Sequence, residues 1–299
     1  MRARASALRI ALFGTPSRFS LFALRELAAD RPVAALVLSQ PQQRGLRASL
    51  ASIAGVRRMS PVEAAAREHR FPVIFSTPSN QSTIAEQLRA VRPDLICVAT
   101  FPRLIPPEII AMAPLGAINV HPSLLPRHRG PLPLFWTYHA DDRASGVTVH
   151  HLDGSFDSGD IILQEAFPLP RAYPVAKLDG DVAHRGASLL RAAVEALAGG
   201  RAARTAQDER AATYAPRIRP GTPMVRFEEW DVERIWHFLA GLSSQYREPL
   251  IDDAGRSAQY QAVVGFERGP AGTAGTVESV ANGWRINCCG GVVLLAKAS

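Results

Sequence analysis

Residues 116–130 read Gly-Ala-Ile-Asn-Val-His-Pro-Ser-Leu-Leu-Pro-Arg-His-Arg-Gly, and Asp157-Ser158-Gly159-Asp160 stands downstream. The apolar run Gly116-Ala117-Ile118 reads as a strand leading into Asn119. Side chains on a strand alternate between faces, so Asn119 and His121 share one. Pro122 lacks a backbone donor and ends the ladder. A carboxamide and an imidazole therefore stand together at the carboxyl end of a strand, where open α/β sheets bind ligands. The amide donates hydrogen bonds without titrating, whereas the imidazole donates, accepts or carries charge near neutral pH. Aimed at one point, they suit an oxygen that gains negative charge, as in acyl transfer. Asp157, in a glycine-containing turn between strand-like runs at 146–152 and 160–167, is the candidate carboxylate for holding the His121 tautomer and supporting its protonated form. The alternative is a polar pair that does no more than cap a strand.

Upstream, strands at 8–13, 33–38, 73–74 and 95–99 alternate with helices at 17–30, 61–69, 83–91 and 106–112. This alternation implies an α/β fold with a doubly wound, mostly parallel, Rossmann-like sheet. Gly14-Thr15-Pro16 lacks the G-x-G-x-x-G spacing, which argues against a dinucleotide. Downstream, 133–140 reads as a helix with Trp136 packing inward. A second helix at 178–197 is ended by Gly199-Gly200. Residues 201–222 turn polar and proline-rich, as a linker does. Beyond them a short helix at 231–239, with Asp231 as its cap, precedes strand-like pieces at 259–264, 275–280, 283–288 and 292–296. Short strands separated by Gly and Pro suggest a small β-barrel. The expected organisation is a catalytic domain at 1–203, a linker at 204–222 and a C-terminal domain at 223–299, as a chain of 299 residues allows.

Hydrophobic residues make up 47% of the chain and charged residues 20%, enough for a substantial core and against bulk disorder. A net charge of +7 favours an anionic partner, whether nucleic acid, a phosphorylated substrate or a polyglutamylated folate, although it also serves solubility alone. Cys97, Cys288 and Cys289 give neither a disulfide framework nor zinc spacing, and Cys97 lies in an apolar run as a small buried hydrophobe. This fits the reducing cytoplasm. The first residues read as the approach to a strand rather than a signal peptide, and no run approaches the ~20 apolar residues of a membrane span. His150 and His151 are strand neighbours facing opposite ways, so they are not joint metal ligands, and no metal is expected.

Ile118 to Pro126, then Arg129-Gly130, Gly146-Val147-Thr148 and Asp157-Ser158-Gly159-Asp160-Ile161, resembles the signature of the folate-dependent formyltransferases. Ala11 to Pro16 is similar to that family's first strand and turn. Gln40-Pro41, Arg44-Gly45, Ser60-Pro61-Val62 and Ala212-Thr213-Tyr214-Ala215 resemble the methionyl-tRNA formyltransferases in particular. The resemblance implies 10-formyltetrahydrofolate as the formyl donor and an amine as nucleophile. It implies an OB-like C-terminal domain. Asn119 and His121 would stabilise the oxyanion of a tetrahedral intermediate, and Asp157 would orient His121 and help move the amine's proton toward the folate nitrogen. The loop Ser123, Leu124, Leu125 and Pro126 would shape the pterin slot, with Phe101, Leu104 and Ile105 as its apolar wall or as core. Phe101-Pro102 departs from the family's aromatic-glycine pair at that place.

The acceptor implied is the methionyl amino group of initiator methionyl-tRNA. Arg44 and Arg47 lie in a basic segment, 40–60, whose counterpart in these enzymes contacts the tRNA acceptor end; arginines bind phosphates and stack on unpaired bases. The alternative for such a cluster is a solvated surface. Arg127 and Arg129 either neutralise an acceptor phosphate or tie the loop to a carboxylate. Residues 243–249, Ser-Ser-Gln-Tyr-Arg-Glu-Pro, stand where these enzymes carry an Asn-Pro-Trp-Pro-like patch. A small anionic amine, such as a nucleotide-linked amino sugar, is the second acceptor class. Formyl-folate hydrolysis and non-catalytic nucleic-acid binding come further behind.

Overall fold

The computed structural model describes residues 8–30, 32–40 and 59–298. Arg44, Arg47 and most of the basic segment lie outside the described residues. Seven strands form one sheet: β1 (Ile10–Gly14), β2 (Val33–Ser39), β3 (Val73–Ser76), β4 (Leu95–Ala99), β5 (Ala117–His121), β6 (Ala144–His151) and β7 (Ile161–Pro168). Their order is β3-β2-β1-β4-β5-β6-β7. The first five pair in parallel, and β6 joins β5 antiparallel. Strands β1 and β4 are buried along their whole length, as parallel strands covered on both faces must be. Cys97 is fully buried within β4, and burial pushes its thiol pKa up, which makes it inert.

The helices are α1 (Arg18–Asp30), α2 (Pro61–Glu68), α3 (Gln81–Val91), α4 (Pro107–Ile110), α5 (Pro133–His139), α6 (Val175–Ala198) and α7 (Val232–Gly241). Local chemistry sets their starts. Ser60 accepts from the Glu63 backbone while the Glu63 carboxylate accepts from the Ser60 backbone, and Pro61 occupies the first turn of α2. Asp231 caps α7 by accepting from the Arg234 backbone N–H at 2.8 Å, as its position in the sequence predicted. Helix α6 begins three residues earlier than its apolar pattern indicated, because the first turn sets in directly after Pro174, whose carbonyl accepts from Lys177 and Leu178.

Two compact units emerge, and they do not follow chain order. The first comprises the described residues within 1–130, 146–166 and 180–213; the second comprises those within 131–145, 167–179 and 214–299. In the first, Phe13, Val37, Ile84, Leu88, Val98, Ile105 and Ile109 belong to one core cluster. In the second, Phe135, Phe238, Tyr246 and Trp230 meet mostly edge to face at centroid distances of 5.4–5.5 Å. Trp136 is only half-buried: its indole N–H must reach the Pro216 carbonyl, so Phe135 and Tyr138 fill the interior instead. The C-terminal strands β8 (Tyr260–Arg268), β9 (Val277–Val280), β10 (Gly283–Cys288) and β11 (Gly291–Lys297) pair antiparallel in the order β8-β11-β10-β9. Among the described residues these pairings make an antiparallel sheet of four strands.

Candidate active site

Strand register decides what meets at the carboxyl end of β5. Asn119 lies opposite Val98 of β4 and His150 of β6. Its Nδ2 is 3.1 Å from Asp157 Oδ1 and 3.1 Å from His150 Nε2. His150, fully buried, has Nδ1 2.8 Å from the His151 carbonyl. A carbonyl only accepts, so His150 carries its proton on Nδ1 and offers Nε2 as an acceptor to Asn119. Both Nδ2 hydrogens of Asn119 are thus engaged, and its Oδ1 is left for other donors.

The same logic sets the His121 ring. Its Nε2 lies 2.9 Å from the His128 carbonyl oxygen and donates to it. In the neutral ring Nδ1 is then a lone pair, 3.5 Å from Asp157 Oδ1. Asp157 Oδ2 accepts from the Gly130 backbone N–H at 2.9 Å. The Asp157 backbone has φ 54, in the left-handed region, which costs on the order of 1 kcal/mol in a residue with a side chain. Gly159 follows because a Cβ there would stand 2.0 Å from the His151 carbonyl oxygen.

Burial favours the neutral form of Asp157, but His121, His150 and the Gly130 N–H outweigh it and hold the carboxyl well below the usual carboxylate range. For His121 burial dominates and lowers the pKa, against the pull of Asp157 and the His128 carbonyl; His150 and the His128 ring add to the fall. At neutral pH an uncharged imidazole therefore faces an ionised carboxylate. Two acceptors, Nδ1 and Oδ1, oppose each other, and a proton delivered to Nδ1 turns the opposition into an ion pair. Such a pair takes a proton from a group entering the site and returns it.

The remaining sequence candidates separate. Ser123 is buried and donates to the Arg127 carbonyl at 2.7 Å. Leu125 N–H donates to Thr148 Oγ1, and the Leu125 carbonyl accepts from Gln164 Nε2, so the loop from Ser123 through Leu124 to Pro126 is fixed by backbone groups. Ile105 belongs to the core, and Phe101 packs edge-on against Phe13 at 5.2 Å. Of the expected apolar wall only Leu104 is exposed, at 46%. Phe156, absent from that expectation, is 58% exposed beside Asp157 in the chain. Arg127 is half-buried in the same loop. Arg129 takes the carboxylate course rather than the phosphate one. It is buried, with its guanidinium in a two-point pair with Glu209 and a second pair of bonds to Gln207 Oε1.

Sequence reasoning missed His150 and Gln207. The signal for His150 was its register opposite Asn119, which no local pattern reveals. Gln207 sat in a polar stretch that reads as a linker. Among the described residues no group of three His, Cys, Asp or Glu side chains is arranged to hold a metal ion.

Residues 8–194 match the family model described as "Formyl transferase". The chain belongs to the formyl transferase family, and the converging amide, imidazole and carboxylate lie within the matched region. Its relatives include methionyl-tRNA formyltransferases. That of Syntrophus aciditrophicus (strain SB) is 32% identical over 290 residues, covering 96% of this chain and 90% of the relative. That of Anaeromyxobacter dehalogenans (strain 2CP-C) is 32% identical over 297 residues, with the same coverage. Among solved structures, WlaRD, a sugar 3N-formyl transferase, superposes with a TM-score of 0.68 over 97% of both chains at 16% identity, a likeness of fold alone.

Proposed function

We propose that this enzyme transfers the formyl group of 10-formyltetrahydrofolate to the methionyl amino group of initiator methionyl-tRNA. The observation that carries the reading is His121 Nδ1 facing Asp157 Oδ1 at 3.5 Å, with the Asn119 carboxamide bonded to the same carboxylate oxygen. The residues suit the donor. Formyl transfer needs groups that steady an oxyanion and move one proton, and it needs no metal. Leu104, Phe156 and the Ser123–Pro126 loop would hold the flat ring, and the bound folate would supply an activated formyl carbon.

In this mechanism the acceptor amine approaches the Asn119 Oδ1 face, which is free to accept its N–H. As the amine bonds to the formyl carbon, its proton passes to His121 Nδ1. The imidazolium so formed is held by Asp157 on one side and the His128 carbonyl on the other, and its charge lies beside the developing oxyanion. Asn119 also serves that oxyanion by releasing one Nδ2 hydrogen. The bond to the carboxylate is charge-assisted and the stronger of its two, so the bond to the His150 ring exchanges first. His121 then returns the proton to the departing folate nitrogen. A lost oxyanion donor costs roughly 3–4 kcal/mol of barrier.

Support for the tRNA acceptor comes from the relatives named for that substrate and from the net charge of +7. Among the described residues no helix is long and apolar enough to cross a membrane. The test is a parallel assay in which purified protein and formyl-folate receive charged initiator tRNA, a panel of nucleotide-linked amino sugars, or water alone. Formylation of the tRNA is the expected result. Transfer only to an amino sugar assigns the small-amine acceptor instead, and formate release with neither assigns hydrolysis.

A further inference from the structure

We propose that residues 205–213 form a positioning strap, in which Gln207 and Thr213 fix the two groups that hold the His121 ring. The inference rests on the formyl-transfer reading for its kinetic consequences, but its geometry stands by itself. The strap begins at Thr205, whose backbone exchanges two hydrogen bonds with Ile161 at 2.8 and 3.0 Å. Two residues on, Gln207 Nε2 donates to the Asp157 carbonyl at 2.9 Å and to the Gly159 carbonyl at 2.8 Å. One amide thereby spans the turn that carries the carboxylate, at the residue whose backbone is in the left-handed region.

The Gln207 carboxamide is itself oriented. Its Oε1 accepts from Arg129 Nε at 3.1 Å and Nη2 at 2.8 Å, so its Nε2 can only face the turn. Arg129 is locked in turn by Glu209. A single turn of 3-10 helix, Glu209–Ala211, then brings the chain to Thr213. Thr213 Oγ1 accepts from the His128 N–H at 2.8 Å, its carbonyl accepts from the Arg129 N–H at 2.9 Å, and its own N–H donates to the Pro126 carbonyl at 3.2 Å. These bonds set the His128 peptide, whose carbonyl takes the His121 Nε2 proton. The strap thus ends on both sides of one imidazole: through Asp157 at Nδ1 and through His128 at Nε2. A segment that only tied down the surface would have no need to place its polar atoms on the carbonyls flanking the carboxylate. Gln207, Arg129 and Thr213 act through other residues and are positioning residues.

The experiment compares Gln207→Leu, which removes the amide at similar size, with Gln207→Glu, which keeps the Arg129 contact but turns a carboxylate toward two carbonyls. Thr213→Val removes the acceptor for His128, and Thr213→Ser restores it. Misplacement of a catalytic group by about 1 Å costs roughly 100-fold in rate. We expect kcat to fall roughly 30- to 100-fold in the Leu, Glu and Val variants, with both KM values within about threefold and Thr213→Ser near wild type. The second readout is the NMR titration of His121, which is faced by Asp157, His150 and His128. Loosening Asp157 removes the attraction that favours the imidazolium, so the midpoint moves down in Gln207→Leu, which adds no charge of its own. Turnover within twofold of wild type, or turnover that falls only in step with the melting temperature while the titration stays put, overturns the strap. If Gln207→Leu does not fold, the Thr213 pair decides. If wild-type protein formylates no amine, the functional reading fails, and the His121 titration still decides the strap.

Discussion

Replacing Asp157 by Asn changes one atom and makes a quantitative demand. Oδ2 accepts from the Gly130 N–H, so the asparagine keeps its oxygen there and places its NH2 where Oδ1 was. That NH2 faces the Nδ2 hydrogens of Asn119 and the His121 lone pair. It donates into Nδ1, the atom needed to receive the amine's proton, and it abolishes the ion pair that would stabilise the imidazolium. At 3.5 Å and an effective dielectric of about 20, that pair is worth about 5 kcal/mol. The asparagine dipole restores part of this, so we expect kcat to fall by about three orders of magnitude, with the KM for formyl-folate little changed. The assay is initial-rate transfer of labelled formyl to the acceptor that wild-type protein formylates. The His121 midpoint, followed by NMR, moves further below its already lowered value, because Asp157 is the main group raising it. A variant within tenfold of wild type, or a His121 midpoint that rises, refutes the proton-acceptor role.

Gly159→Ala would set a Cβ 2.0 Å from the His151 carbonyl oxygen, so the Asp157 turn must shift; turnover should drop at least tenfold, and a fully active variant would show that the turn has slack. In the second compact unit His237 accepts from the Ala172 N–H at 2.8 Å, and burial, helped by Arg171, lowers its pKa from 6.5 to about 4. Unfolded chain then binds the proton first, so the stability that His237 supports is complete above pH 6.5 and is lost as pH falls toward 4, by about 3 kcal/mol. Urea unfolding at pH 7.0 and 4.5 reads this, and His237→Gln should flatten the pH dependence; equal slopes in the two proteins count against it. Binding of initiator tRNA should weaken with added salt and with Arg44→Ala and Arg47→Ala, as phosphate contacts do; salt-independent binding points to a small acceptor.

The sheet was legible because each element carries its own periodicity and punctuation. Val33 to Ser39 and Leu95 to Ala99 are apolar runs of strand length, and Ser60-Pro61-Val62-Glu63 spells out a helix start. Asn119 and His121 were legible as one strand face closed by Pro122. What lay beyond reach was register and long-range polar pairing. That His150 stands opposite Asn119 depends on how β6 docks on β5. That Gln207 spans the Asp157 turn depends on a chain reversal 50 residues away. Arg129 illustrates the same limit. As a residue type it suits a phosphate or a carboxylate equally, and only the position of Glu209 separates the two. Trp136 misled for a related reason: its size argued for the interior, while its N–H required a partner, which Pro216 provides outside the packed core.

The proton-acceptor role of His121 is tested most directly by single-turnover transfer of a labelled formyl group from 10-formyltetrahydrofolate to charged initiator tRNA, in wild-type protein and in His121→Ala. Formyl-methionyl-tRNA should appear rapidly in the wild type and at least a thousandfold more slowly in the variant, with formyl-folate still bound. Transfer that persists at the wild-type rate without the imidazole would contradict that role.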